Sequence, residues 1–216
     1  MRSKFDEQLE NLNKELTIMG ALCEEAIATS SKALLEGNLT LANEVSIIAD
    51  DIAKKERDIE GMCLKLLLRQ QPVARDLRTI SAALKMITDM ERIGVQSADI
   101  AEIITVADIT SADDIRDIHD MAEAAIHMVT ESIEAFVKKD IERAEKVIEY
   151  DDIVDGCFDK VKNILIEMFS KPETDGEYAI DLLMIAKYFE RIGDHAVNIA
   201  EWVLFSLTGT RRGGNE

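Results

Sequence analysis

The sequence predicts an all-α fold of two tandem three-helix bundles, six long antiparallel helices related by internal duplication. Three observations carry that expectation. The 216 residues include only 2 Pro and 10 Gly, the two residues least compatible with helix interiors. Apolar residues recur at alternating steps of three and four, the period of one helix face. Segments in the first half of the chain return in the second half, which marks a repeat architecture.

Helix one carries Leu9, Leu12, Leu16, Met19, Cys23, Ile27 and Leu34 along one face and stops at Gly37-Asn38. Helix two repeats the pattern with Leu41, Val45, Ile48, Ile52, Ile59, Cys63 and Leu66, and ends at Gln71-Pro72. Helix three, with Met86 and Met90 at core spacing, runs to a polar break from Ile109 to Asp113. Helix four ends at Lys139-Asp140. Helix five carries Val147, Val154, Phe158, Val161, Leu165 and Met168, and the break from Lys171-Pro172 to Gly176 separates it from helix six. That last helix has an uninterrupted apolar stripe of Leu182, Ile185, Phe189, Ile192, Ala196, Ile199 and Val203. Helices of about 30 residues are about 45 Å long, and short connections between them make sequential neighbours antiparallel.

The repeat is explicit. Met90-Glu91-Arg92-Ile93-Gly94 returns as Phe189-Glu190-Arg191-Ile192-Gly193, and Ile100-Ala101-Glu102 returns as Ile199-Ala200-Glu201, both at an offset of 99 residues (190 − 91). The expected units are residues 1–108 and 109–208, followed by a polar, Gly-containing tail at 209–216 that is expected to be disordered.

Charge narrows the function classes. Lys and Arg total 25 against 43 Asp and Glu, a net charge of -18, which repels phosphate backbones and anionic lipid. Nucleic acid is therefore not an expected partner. The apolar runs fall far short of the ~20 residues a membrane span needs, and residues 1–20 carry no signal-like apolar region, so no membrane insertion and a cytoplasmic location are expected. Cys23, Cys63 and Cys157 have no CxxC spacing and sit among apolar residues, which reads as packing.

The duplication lets one half serve as a control for the other. In helix five Asp151 interrupts the apolar stripe, four residues after Val147 and three before Val154, with Asp155 one turn on. In helix six Glu190 and Asp194 form a second acidic pair beside the stripe. Antiparallel packing of helices five and six brings the four carboxylates towards one another, and their repulsion calls for a cation or basic residues. The corresponding first-half positions are Ala49, Ala53, Glu91 and Val95, leaving Glu91 alone. A metal site built on Asp151, Asp155, Glu190 and Asp194, and a solvated face neutralised by Lys187, Arg191 and neighbouring lysines, both remain open. All-oxygen ligands suit Mg²⁺, Ca²⁺, Mn²⁺ and iron, and His195 adjoins Asp194.

Catalytic patterns are missing. His119, His127 and His195 are preceded three residues earlier by Arg116, Ala124 and Ile192, whereas a ferritin-like di-iron site needs Glu there. No Gly-rich phosphate loop or nucleophile elbow occurs, so the chain is not expected to be an enzyme. Arg75, Asp76 and Arg78 follow Pro72. The basic pair could touch a partner or phosphate; the stronger reading is that Asp76 favours the helix dipole and the arginines pair with nearby acids.

The run from Cys63 to Arg78, CLKLLLRQQPVARDLR, with ALKMITDMERIG at Ala83 to Gly94, resembles the first-half signature of the PhoU family. DDIVD at Asp151 to Asp155 and ERIGDHAVNIAE at Glu190 to Glu201 resemble its second half. The resemblance spans essentially the whole chain. It implies a cytoplasmic negative regulator of the phosphate-starvation response, linking the ATPase subunit of a phosphate ABC transporter with a sensor histidine kinase. A homodimer is also expected. Some members carry multinuclear iron or zinc on motifs of Glu or Asp, three residues, then Asp. These map onto Asp151 with Asp155 and Glu190 with Asp194. The corresponding first-half motifs are broken at Ala49, Ala53 and Val95. The expectation is one metal site in the second repeat, holding iron, zinc, manganese or magnesium.

Overall fold

The computed structural model of the chain describes residues 2–69, 73–109, 116–171 and 175–210, with side chains from Phe5 onward except that of Arg69. The breaks expected at Gln71-Pro72, over most of 109–113 and at Pro172, and the tail from residue 211, lie outside the described residues. Every described element is a helix: α1 Arg2–Glu36, α2 Leu39–Arg69, α3 Ala74–Val106, α4 Arg116–Lys138, α5 Ile141–Phe169 and α6 Gly176–Thr208. Five of the six match the expected length, and α4, with 23 residues, is shorter.

The two inner hinges show why the chain turns where it does. Gly37 and Lys139, 102 residues apart (139 − 37), both adopt left-handed φ values, 58° and 57°. In each, the following amide returns to the helix just ended, Asn38 N to Ala33 O at 2.9 Å and Asp140 N to Ala135 O at 2.9 Å, satisfying carbonyls that the helix end leaves open. The next helix is then capped by the same residue. Asn38 Oδ1 accepts from the amides of Thr40 and Leu41, and Asp140 Oδ1 accepts from the amide of Arg143.

Helices α1, α3, α6 and α4 pack in a ring, with α2 laid across α1 and α3, and α5 across α4 and α6. The two three-helix bundles therefore share one core. Contacts across the ring fix its directions: Glu24 of α1 meets Thr130 of α4, Ser31 meets His119, and Asp89 of α3 meets His195 and Asn198 of α6, while Gly209 at the end of α6 lies beside Arg78 at the start of α3. Each facing pair runs antiparallel, which relates the bundles by an approximate two-fold axis.

The stripes form the core as expected. Leu12, Leu16, Met19, Cys23 and Ile27 of α1 are fully buried, as are Ile185, Phe189, Ile192, Ala196, Ile199 and Val203 of α6. Each large side chain withdrawn from water contributes about 1.5–3 kcal/mol before the entropic cost of ordering it. Buried hydroxyls such as those of Ser97 and Ser132 are satisfied within their own helices, Ser97 Oγ donating to Ile93 O and Ser132 Oγ to Val129 O, whereas Ser31 Oγ pairs with His119 across α1 and α4. No helix among the described residues is long and apolar enough to cross a membrane.

Candidate functional site: an acidic seam between α5 and α6

Gly193 lies at the contact of α5 with α6. A Cβ there would stand 3.4 Å from both Asp151 Oδ1 and Val154 Cγ1, in ordinary van der Waals contact, so Asp151 packs directly over this point of α6. The repeated glycine, Gly94, lies in the tighter contact of α2 with α3. Its Cβ would stand 3.1 Å from Cδ1 of the buried Ile52. The ERIG repeat is thus a helix-contact motif in both halves, with apolar contact in the first and a carboxylate in the second.

Asp151 is half-buried and Asp155 and Asp194 are exposed at the rim. The carboxyl of Asp151 is raised to about 6, first by burial and then by repulsion from Asp155, Asp194, Glu190 and Asp152. That of Asp194 is also raised, by partial desolvation at the rim and then Glu190, with Lys187 opposing the shift. The four expected site residues therefore share one electrostatic environment, as their spacing predicted.

Lys187 supplies the local counter-charge. Its ammonium lies 2.5 Å from Oε2 of Glu190 and 5.4 Å from the centre of the Phe158 ring, an arrangement that adds a cation–π contribution. Glu190 Oε2 is buried, and this ion pair is its polar contact among the described residues. Four carboxylates are the right donor type for a hard cation. As placed, however, they do not form a coordination shell, since among the described residues no three His, Cys, Asp or Glu side chains are grouped to hold a metal ion.

The first half differs from the expectation that Glu91 stands alone. The carboxyl of Glu56 is raised by burial and then by Glu60 and Glu91, with Arg57 opposing. Arg92 Nε lies 3.7 Å from Glu91 Oε2. Glu56 and Glu60 lie seven residues along α2 (56 − 49 and 60 − 53) from the positions that correspond to Asp151 and Asp155, about two turns, so comparing stripe positions alone misses them. Ala49, Ala53 and Val95 are half-buried, consistent with an apolar contact.

A polar link also joins the halves. His195 Nδ1 lies 2.9 Å from Asp89 Oδ1, which also accepts from Asn198 Nδ2 at 3.3 Å. His195 therefore faces α3 through this nitrogen rather than the acidic seam. The thiols of Cys23 and Cys63 are buried, and that of Cys63 is pushed up to about 12 by burial and by Glu60. These are packing residues that stay protonated. His127 packs against the Tyr150 ring at 4.7 Å, and His119 contacts Ser31 and Glu123.

The chain matches the family model described as PhoU domain twice, over residues 16–104 and 118–203. It is 34% identical to the phosphate-specific transport system accessory protein PhoU homolog of Clostridium acetobutylicum over 96% of each chain. It is 31% identical to the homolog of the same description from Pseudomonas aeruginosa, covering 96% of this chain and 86% of that one. The crystal structure of PhoU from Pseudomonas aeruginosa superposes with a TM-score of 0.88 at 31% identity, over 95% of this chain and all of the other. That of the phosphate transport system regulatory protein PhoU from Streptococcus pneumoniae does so at 0.88 and 22% identity, a likeness of fold, over 96% and 98% of the two chains.

Proposed function

The chain belongs to the PhoU family, and from that premise we propose that it is a non-enzymatic accessory protein of a phosphate-specific transport system. It acts in the cytoplasm as a homodimer, as an adaptor between the transporter's ATPase subunit and a sensor histidine kinase, and it restrains the phosphate-starvation response. The observation that carries this reading is the double family match in register with the two bundles, together with full-length relatives named as accessory proteins of that transport system. The long, acidic helical surface suits protein docking, and the chain lacks the sequence patterns of the catalytic sites considered above. The test is assembly in vitro. The purified chain should bring the ATPase subunit and the cytoplasmic part of the kinase into one complex on a sizing column. Failure to bind either would contradict the adaptor role.

A second reading is that the second repeat, residues 109–208, binds a metal ion at Asp151, Asp155, Glu190 and Asp194. It is favoured by the convergence of the four carboxylates, whose mutual repulsion adds to burial in raising the carboxyl of Asp151. A cation would have to draw these side chains together and displace Lys187 from Glu190.

A further inference from the structure

Where α3 ends and α6 begins, the two helices part to form a cleft of about 520 Å³. Five carboxylates line it, Asp99 and Glu102 from α3 with Asp175, Glu177 and Asp181 at the start of α6, and no Lys, Arg or His is among its described lining residues. Tyr188 forms part of its wall, and Val106, 79% exposed, presents an uncovered apolar side chain beside the acids. A second groove of about 280 Å³ shares Asp99, Glu102 and Val106 and carries the depression onto α2 past Asn43 and Ser46.

The duplication shows that the fold does not require this groove. At the opposite end, where α3 begins and α6 ends, α1 and the α4–α5 hinge close in on the same two helices, the pocket between them is about 70 Å³, and its charged lining residues are Arg75 and Lys139 with one acid, Asp76. At the 99-residue offset of the repeat, Asp99, Glu177 and Asp181 correspond to Asn198, Arg78 and Ala82, while Glu102 and Asp175 correspond to the acids Glu201 and Asp76. The α3–α6 packing is retained while size and charge differ.

Inside the cleft the charge is poorly compensated. The Asp99 carboxyl is raised by burial and by Glu102, and Arg191 opposes this only in part. Arg191 itself lies over the Tyr188 ring, 5.9 Å from its centre. Clustered carboxylates beside exposed aliphatic and aromatic surface complement side chains with a cationic head on an apolar stem, which are those of lysine and arginine.

We infer that this groove docks a lysine- and arginine-bearing segment of the protein partner in the phosphate transport system, the cations meeting the five carboxylates and the stems covering Val106. The inference rests on the adaptor reading above. It assigns a surface that the acidic seam, on the α5–α6 contact, does not provide.

The test uses the purified full chain and the purified ATPase subunit of the transporter, with affinity measured at low and at physiological salt. Wild-type affinity should fall as salt rises. The isosteric variant Asp99→Asn with Glu102→Gln and Asp181→Asn should bind about tenfold more weakly at low salt, because three attractive pairs are removed. The variant Glu7→Gln with Glu10→Gln and Glu167→Gln changes the net charge equally on exposed sites elsewhere and should bind like wild type. Circular dichroism checks folding, and Glu102→Lys, at an exposed position, provides an independent charge reversal that should also weaken binding. Cleft variants that bind as tightly as wild type would overturn the groove while leaving the adaptor reading intact. A wild-type chain that does not bind the subunit would overturn both.

Discussion

His195 Nδ1 on α6 and Asp89 Oδ1 on α3 lie 2.9 Å apart, joining the two bundles at their most extensive shared contact. Asn198 donates to the same oxygen. Asp89→Ala removes the partner of two part-buried polar groups at once and should cost about 1–3 kcal/mol. Asp89→Asn, which keeps one carbonyl acceptor, should recover part of the loss. Urea denaturation of the three proteins checks this, and equal midpoints would contradict it.

Stability should depend on pH through Asp151. Its carboxyl is raised to about 6 in the fold from an ordinary value of 3.8, so the folded chain holds the proton more tightly than the unfolded chain. The associated stabilisation is present below the unfolded value and is lost as pH rises through the folded one. Asp151→Asn should therefore be more stable than wild type near pH 7.5, by about 1 kcal/mol after allowing for its half-exposed position, and should lose that advantage near pH 4. Melting temperatures of both proteins across this range decide the matter. Parallel profiles would contradict the cause assigned here.

Lys139 sits in the left-handed region at φ 57°, where the repeat-related residue is Gly37 at φ 58°. A side chain in that conformation costs about 1 kcal/mol. Lys139→Gly should raise stability by about 0.5–1 kcal/mol, less than the full strain because glycine also gains freedom in the unfolded chain. Thermal unfolding provides the measurement, and a lower melting temperature would count against it.

Metal binding in the second repeat has its own test. Protein purified without chelator should contain more metal by elemental analysis than the variant carrying Asp151→Ala, Asp155→Ala, Glu190→Ala and Asp194→Ala. Equal content would rule out these four residues as ligands. Chelator treatment of the wild type should remove the difference.

The fold was legible because it rests on local periodicity. The α6 stripe from Leu182 to Val203 is buried throughout, and Gly37-Asn38 and Lys139-Asp140 mark hinges whose capping chemistry is confined to a few residues. Duplication also exposed Asp151, since an acid within one copy of an apolar stripe stands out against alanine in the other. Asp89 carried no such signal. Its partners are more than 100 residues away on a helix of the other bundle, and neither helix period nor the comparison of repeats places α3 against α6. Glu56 and Glu60 were missed for a different reason. Glu56 meets Glu91, with Glu60 beside it, from about two turns away from the expected positions, a register that depends on how far α2 slides along α3. The groove at Asp99 likewise arises from divergence of two helix ends rather than from a motif.

The central claim, that this chain restrains the phosphate-starvation response, is tested most directly by the activity of a phosphate-starvation promoter in phosphate-rich medium. It should be measured in wild-type cells, in cells lacking this chain, and in the same cells with the chain restored. The account predicts that loss of the chain raises promoter activity to the level of starved cells and that restoring it returns the promoter to the repressed level. A promoter that stays fully repressed without the chain would contradict it.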